Sequence, residues 1–239
     1  MGSLIFSVLL MSVPAAAANG PGDFTGEKIS YNIKKTVFKA GEATLEFKGK
    51  AEIDGQPVYL IVFTATSFNF YDQEKIYVDR KAYRPVVVKR DLNIFGKKEK
   101  IIEYYDRQKG EIRIVKNPGV EARIQTIHKD GAIENIYGFI YRYRKEGSFQ
   151  IGEKINLNLP TTDVTVVLKK KDAIRAGGER RDAYFMTSGD YRIWFGTGED
   201  RVPLRIDGAM GLLKAALVLD EYQPDEKSDG TGVAEAQDS

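Results

Sequence analysis

Residues 41–53 read GEATLEFKGKAEI, a stretch in which apolar and polar side chains alternate. The apolar parity holds Ala43, Leu45, Phe47, Ala51 and Ile53. A period of two is typical of a β-strand with one buried and one wetted face. We therefore predict a half-buried strand here, with these five side chains on its buried face.

The same alternation recurs along the chain, and turn signals such as Asp54-Gly55 and Asn117-Pro118-Gly119 separate the recurrences. The first two strands are expected to form a hairpin, connected at Lys39–Gly41. The predicted strands span residues 27–38, 41–53, 58–66, 74–79, 83–90, 97–106, 111–116, 120–127, 154–159, 164–171, 183–188, 191–195 and 202–207, and an apolar segment follows at 210–222.

One segment departs from the strand pattern, because Ile133, Ile136 and Ile140 recur at steps of three and four residues. This spacing predicts an α-helix. Asp130 is its expected N-cap, and the helix is expected to end near Glu146-Gly147. The predicted fold class is mainly β, an antiparallel curved sheet or β-barrel of about a dozen strands with one α-helix.

The first residues indicate export. Leu4–Val13 is apolar and leads into a run of small residues, as in a signal peptide cleaved near Ala17 or Ala18. A membrane span needs about 20 apolar residues, so no transmembrane anchor is expected and the predicted location is periplasmic. The predicted organisation is a signal peptide at 1–18, a linker at 19–26, a single β-barrel-like domain at 27–222 and a disordered acidic tail at 223–239.

Composition argues against several classes of function. The 36 basic and 34 acidic residues are interspersed, so no field of one sign favours a nucleic-acid partner. The basic clusters 97–100 and 169–171 suit strand edges, where lysine blocks unwanted pairing. The absence of cysteine excludes disulfides, thiolate metal sites, a cysteine nucleophile and a lipidated cysteine.

No catalytic or metal-binding pattern is evident. His128 is the single histidine and stands just before the predicted helix, where a solvated or capping role is usual. Glu199 and Asp200 are adjacent, and adjacent strand residues point to opposite faces. Asp200, Asp207 and Asp220 lack the spacing of a calcium loop. We expect no catalytic residue, no metal and no cofactor.

Three parts of the sequence stand out together: Gly26–Tyr31 with Ala40–Ala43, Asn135–Arg144, and Trp194–Phe195 with Asp200–Pro203. They resemble the opening hairpin, the central helix and a late strand pair of an exported bacterial family catalogued as domain of unknown function 3108. The resemblance spans residues 24–222 and departs in two places. A small polar residue is expected at Gly138, and Gly196–Glu199 makes the turn after the tryptophan strand longer than expected. The resemblance implies an envelope location in a bacterium with two membranes and a β-barrel-like fold, and it implies no reaction.

The predicted binding residues are Tyr137, Phe139, Arg144, Trp194, Phe195 and Arg201. Aromatic side chains line the interior of curled sheets, where they either fill a core or surround a ligand. The arginines at the mouth, Arg144, Arg201 and Arg205, either pair with Glu199, Asp200 or Asp207 or capture an anionic head group.

The predicted function is a non-enzymatic periplasmic protein that holds a lipid or other apolar envelope component. The alternative is an envelope-assembly scaffold that binds a protein partner along a sheet edge. The third candidate is a carboxylate-dependent glycan hydrolase, which needs two carboxyl groups across a groove.

Overall fold

A computed structural model describes residues 23–35, 38–119, 122–189, 191–208 and 215–224. The predicted signal peptide lies outside these residues, as do the first half of the predicted linker and the predicted tail from residue 225 onward. Within the described ranges, no helix is both long enough and apolar enough to cross a membrane.

Strands dominate the described residues and form one antiparallel sheet. The strands are β1 (Lys28–Lys35), β2 (Phe38–Ile53), β3 (Gln56–Ser67), β4 (Phe70–Asp79), β5 (Pro85–Ile94), β6 (Lys97–Asp106), β7 (Glu111–Lys116), β8 (Arg123–His128), β9 (Lys154–Leu159), β10 (Thr162–Ala176), β11 (Glu179–Thr187), β12 (Arg192–Gly196), β13 (Pro203–Asp207) and β14 (Ala216–Gln223). The one helix of this part of the chain, α1 (Ile136–Glu146), lies between β8 and β9. The predicted mainly β class is confirmed.

The order of strands across the sheet is β8-β7-β6-β5-β4-β3-β2-β1-β14-β13-β12-β11-β10-β9. Every neighbouring pair except β1 and β14 is also consecutive in sequence. β8 and β9 are the two edges of the sheet. Of the two predicted alternatives, the structure therefore has the open curved sheet and not the closed barrel.

Residues 129–135, which we call the bridge segment, connect the two edge strands, which do not pair with each other. After β8, the Lys129 amide donates to the Gly110 carbonyl at 2.8 Å. The Glu134 amide donates to the carbonyl of Asn158 in β9 at 2.8 Å. The Asn158 side chain returns a hydrogen bond to the Asp130 carbonyl at 2.7 Å. The bridge segment therefore ties the end of β8 to β9.

The main core lies on the face of the sheet that packs against α1. Aromatic rings of the helix meet rings from strands on both halves of the sheet, which shows how far the sheet curves around it. The ring pairs are Tyr137 with Phe63 at 4.5 Å, Tyr141 with Phe47 at 4.9 Å and Tyr143 with Phe195 at 5.5 Å.

The helix begins later than the sequence predicts. Asn135 is the N-cap, and its side-chain oxygen accepts hydrogen bonds from the amides of Tyr137 at 2.9 Å and Gly138 at 3.4 Å. The prediction of Asp130 as the N-cap is wrong, because the bridge segment uses the residues after Asp130 to reach β9. The predicted end at Glu146-Gly147 is confirmed.

A β-bulge divides the stretch that first indicated a strand. The β2–β3 register shifts between Phe47 and Gly49, and Gly49 has a φ of +86°, which glycine adopts without strain. Leu45 and Phe47 therefore lie in the main core, whereas Ile53 joins a small cluster with Val58 and Val87. The prediction that all five apolar side chains share one face is wrong beyond the bulge.

The first hairpin pairs as predicted, but its predicted connection is wrong. Lys39 pairs with Lys34 of β1, and Gly41 pairs with Ser67 of β3, so both residues belong to β2. A Cβ atom on Gly41 would lie 2.2 Å from the carbonyl oxygen of Thr66. Glycine at this position thus allows two strands to approach closely instead of forming a turn.

Candidate functional site

A buried ion pair fixes the end of α1 to the start of the sheet. Arg144 is fully buried, and Glu27 is 2% exposed. Nη1 and Nη2 of Arg144 donate to the two carboxylate oxygens of Glu27 at 2.7 and 2.5 Å. Nε donates to the main-chain carbonyl of Asp200 at 3.0 Å. The guanidinium is therefore engaged by this protein's own groups along all three nitrogens.

Aromatic side chains surround this pair. The guanidinium carbon lies 4.5 Å from the ring centroid of Phe24 and 5.3 Å from that of Tyr141. The Tyr222 hydroxyl donates to Glu27 at 3.1 Å. Burial alone would lower the pKa of Arg144, but the hydrogen bonds and charge of Glu27 outweigh it and raise that pKa above its ordinary value. Arg144 stays charged and serves as a structural clamp.

The predicted partners of Arg144 are thus corrected in part. The carboxylate it binds is Glu27, which the sequence prediction did not include, and Asp200 contributes only its main-chain carbonyl. Arg205 binds Asp207 through Nε at 2.8 Å, which is one of the pairings expected in this region.

The predicted aromatic residues of the helix pack against other aromatic side chains. Tyr137 stacks on Phe63, and Phe139 stacks on Tyr143 at 5.6 Å. Phe195 is fully buried and meets Phe149 edge-on at 5.6 Å. These contacts fill the centre of the main core.

Trp194 and Arg201 lie in different surroundings. Trp194 packs on Phe185 with the ring centroids 4.8 Å apart, and the guanidinium carbon of Arg205 lies 5.1 Å from the centroid of its ring. Arg201 places its guanidinium 4.0 Å from the ring centroid of Phe149. The structure thus brings Phe139, Phe195 and Arg201 together around Tyr143 and Phe149, and it places Tyr137, Arg144 and Trp194 in other contacts.

An open groove lies instead at one end of β5 and β6, and we call it the rim groove. Its volume is about 490 Å³. Its lining residues are Leu92, Ile94, Phe95, Lys97, Lys98, Glu99 and Asn117. Leu92 and Ile94 have the same strand parity as Val88 of the main core, so the groove continues the face of the sheet that packs against α1.

An ionic cluster lies next to the rim groove on the same face. Nε and Nη2 of Arg90 donate to the two carboxylate oxygens of Asp72 at 2.8 and 2.5 Å. Arg90 Nε also lies 3.3 Å from Glu74. On β6, Glu103 accepts a hydrogen bond from the Tyr105 hydroxyl at 2.5 Å. One arginine thus faces three carboxyl groups in a largely buried environment.

The pKa of Glu74 is raised to about 7. Burial is the main cause, and the charges of Asp72 and Glu103 add to it, whereas Arg90 opposes it. The pKa of Glu103 is also raised, chiefly by burial. Glu74 therefore changes its charge near neutral pH.

We expect Glu74→Gln to stabilise the protein at pH 8 and to have little effect near pH 4.5. A carboxyl group with a raised pKa favours folding when protonated, so its contribution declines as pH rises from 4.5 to about 7. The shift corresponds to about 3 kcal/mol at most. Urea unfolding between pH 4.5 and pH 8 measures this. Lys75→Gln, on an exposed residue of the same strand, is the control, and parallel curves for Glu74→Gln and wild type would contradict the expectation.

A second, smaller recess of about 180 Å³ lies beside the C-terminal half of α1. Its lining residues are Phe139, Arg142, Tyr143, Glu146, Gly147, Glu153 and Ile155. Phe139 is the only one of the six predicted binding residues that lines either of these two recesses.

The ionic cluster was not predicted from the sequence, although a signal for it exists. Asp72 and Glu74 occupy the same strand parity as Ile76 and Val78, which are fully buried. Charged residues on the buried parity of a strand indicate a buried ionic network. Glu27 carries the same signal, because the predicted strand begins at residue 27 and Glu27 has the parity of Ile29 and Tyr31, which are buried.

The comparison with known families matches residues 28–164 to the family described as "Protein of unknown function (DUF3108)". The match covers more than half of the 239 residues. The chain belongs to the DUF3108 family. The resemblance predicted from sequence is confirmed.

The DUF3108 match runs from β1 to the start of β10. It thus includes the first hairpin, the rim groove, the ionic cluster and α1. The third quoted motif, with Trp194 and Pro203, lies beyond the matched residues. A comparison with curated proteins finds no match for the chain.

Proposed function

We propose that this DUF3108 protein is a non-catalytic periplasmic protein that binds an amphipathic, anionic envelope component in the rim groove. One observation carries the proposal: the groove combines apolar walls with exposed lysines at its edge. A lipid with a negatively charged head group has the matching chemistry.

The walls and edge of the groove suit the two parts of such a ligand. Leu92, Ile94 and Phe95 present apolar surface, and the Phe95 side chain is 77% exposed. Lys97 and Lys98 are exposed, and neither forms an ion pair with a carboxylate of the described residues. The volume lies within the range of about 300–1,000 Å³ typical of small-molecule sites.

The location within the periplasm rests on the sequence. An apolar run of signal-peptide length precedes small residues at 14–18, and the chain contains no cysteine that would carry a lipid anchor. Family membership supports this location only because the resemblance described above implies an envelope location.

Lys97→Gln combined with Lys98→Gln is expected to weaken binding of dihexanoyl phosphatidylglycerol by about tenfold or more, because each lysine near an anionic head group contributes about 1 kcal/mol. Titration of each variant with this lipid, at concentrations at which the lipid stays monomeric, measures the change in affinity. The matched control is Lys169→Gln with Lys171→Gln, which removes the same charge from exposed residues of β10.

Native mass spectrometry of the chain from residue 19, purified from the periplasm, is the companion measurement. A bound lipid of defined stoichiometry that is lost in the Lys97/Lys98 variant supports the proposal. A protein that carries no lipid and takes none up would overturn it.

A second candidate function is a scaffold that binds a protein partner along β8. The first four residues of β8 are exposed, and β8 pairs with β7 on one side only. An unpaired strand edge is a site where a partner can add a strand. Ile124→Cys places a cross-linking site on this edge. A partner protein cross-linked to that cysteine, in a chain that binds no lipid, would favour this candidate.

The hydrolase alternative has weaker support. It needs two carboxyl groups that face each other across an open groove. Asp72 instead forms a two-pronged ion pair with Arg90, and Glu103 accepts the Tyr105 hydroxyl. These contacts suit a structural network, so we retain the non-catalytic proposal.

A further inference from the structure

Three phenylalanines are held in solvent at one end of the sheet. Phe38, Phe68 and Phe95 are 74%, 88% and 77% exposed. Phe38 begins β2, Phe68 lies between β3 and β4, and Phe95 lies between β5 and β6. Alternate strand ends of an antiparallel sheet meet at the same edge, so the three side chains share one end. We call this end the phenylalanine rim.

Hydrogen bonds hold neighbouring parts of the phenylalanine rim together. The Phe95 amide donates to the carbonyl of Asn69, the residue after Phe68, at 2.8 Å. The Ser67 hydroxyl donates to the Ala40 carbonyl, two residues from Phe38. The phenylalanine rim thus extends over the three hairpins β1–β2, β3–β4 and β5–β6.

The backbone at Phe95 does not favour this residue. Its φ is +51°, a left-handed conformation that is rare for bulky side chains and usual for asparagine or glycine. The exposed ring gains little from packing within this chain. Neither turn chemistry nor core packing therefore explains a phenylalanine at this tip, which makes an external partner the better explanation.

The charges around the rim indicate the chemistry of that partner. Three of the basic residues there pair with acidic neighbours: Lys39 with Glu42, Lys100 with Asp91, and Lys116 with Glu99. Lys97, Lys98 and Arg123 are exposed and form no ion pair with a carboxylate in the described ranges. The rim thus presents apolar rings together with surplus positive charge.

We propose that the phenylalanine rim docks on an anionic lipid membrane, with the three rings inserted at the boundary between head groups and acyl chains. Apolar insertion combined with attraction of basic residues to anionic lipid is a general mode of reversible surface binding. This inference goes beyond the proposed function and does not depend on a lipid occupying the rim groove.

The test is vesicle flotation with the chain from residue 19, which lacks the apolar run at 4–13. The vesicles contain phosphatidylglycerol mixed with phosphatidylethanolamine, and pure phosphatidylcholine serves for comparison. Wild type is expected to float with the anionic vesicles and to bind phosphatidylcholine weakly. Phe38→Ser, Phe68→Ser and Phe95→Ser together are expected to lower the partition coefficient by about a hundredfold. Ile151→Ser, which removes an exposed apolar side chain outside the rim, is the matched control.

A second measurement reports the insertion directly. Phe68→Trp places a reporter on the rim, and bromine-labelled acyl chains quench its fluorescence if the ring enters the bilayer. The single native tryptophan, Trp194, is 8% exposed and gives the unquenched background. Circular dichroism confirms that each variant is folded.

Several outcomes would overturn the inference. They are wild type that does not float with anionic vesicles, a triple serine variant that binds as tightly as wild type, and a reporter signal from Phe68→Trp that is not quenched. Self-association that the triple variant abolishes, without vesicle binding, would assign the rim to a second copy of the chain. Phe38→Ser with Phe68→Ser leaves the lining of the rim groove intact. Weaker flotation of this double variant, with unchanged binding of monomeric lipid, would support a membrane contact separate from the groove.

Discussion

Arg144→Met is expected to lower the free energy of unfolding by about 3–5 kcal/mol. The substitution leaves the carboxylate of Glu27 in the core without its cation. It also removes the hydrogen bond to the Asp200 carbonyl, which holds the β12–β13 connection against the helix. Methionine retains most of the side-chain volume, so the loss reports on charge and hydrogen bonding. Urea unfolding followed by circular dichroism measures it.

Two further variants separate the ion pair from packing. Glu27→Gln combined with Arg144→Met removes both charges, and we expect it to recover much of the stability lost by Arg144→Met alone. Arg201→Met is the matched control, because this arginine is only half-buried and donates one hydrogen bond, to the Gly147 carbonyl at 2.9 Å. A cost below about 1 kcal/mol for Arg144→Met would contradict a clamp role.

Gly138→Ala is expected to destabilise the protein by about 2–4 kcal/mol, although alanine is the better helix former by about 1 kcal/mol. A Cβ atom on Gly138 would lie 2.3 Å from the main-chain carbonyl oxygen of Tyr83. That contact is with the backbone, so no side-chain rotation relieves it. Thermal and urea unfolding measure the change.

Gly198→Ala is the matched control for Gly138→Ala. A Cβ atom on Gly198 meets no atom within 4 Å, so its expected effect is within about 0.5 kcal/mol. Equal stability of Gly138→Ala and wild type would show that the helix shifts away from the β4–β5 turn. The contact at Gly138 also explains why the small polar residue expected from the family resemblance is absent here.

Strand positions followed from side-chain alternation, because burial of one face determines which parity is apolar. The sequence predicted β6, β7 and β9 with the bounds that the structure has. Alternation failed at Gly49, since a bulge changes the face without changing the sequence pattern. The predicted start of α1 was wrong because Asp130 and Glu134 form hydrogen bonds with Asn158, a contact between distant parts of the chain.

The functional residues were harder to predict than the fold. The aromatic residues singled out from sequence are real core residues, but packing among them, as between Tyr137 and Phe63, is a tertiary property. Arg144 and Glu27 are 117 positions apart, so neither spacing nor propensity connects them. Phe95 was overlooked because exposure of a single apolar residue at a turn leaves no periodic trace.

The order of strands has a consequence for how the chain reaches this structure. β1 to β8 and β9 to β14 are each a meander of consecutive hairpins, and such local contacts form quickly. Joining the two meanders through β1 and β14 requires closure of a loop of most of the chain, which is an entropic barrier. Glu27 lies at that seam and accepts a hydrogen bond from the Tyr222 hydroxyl of β14, so its burial is completed only when the last strand joins. We therefore expect assembly to be limited by a late joining step in which the first half, already paired, exposes the face that α1 and the second half later cover.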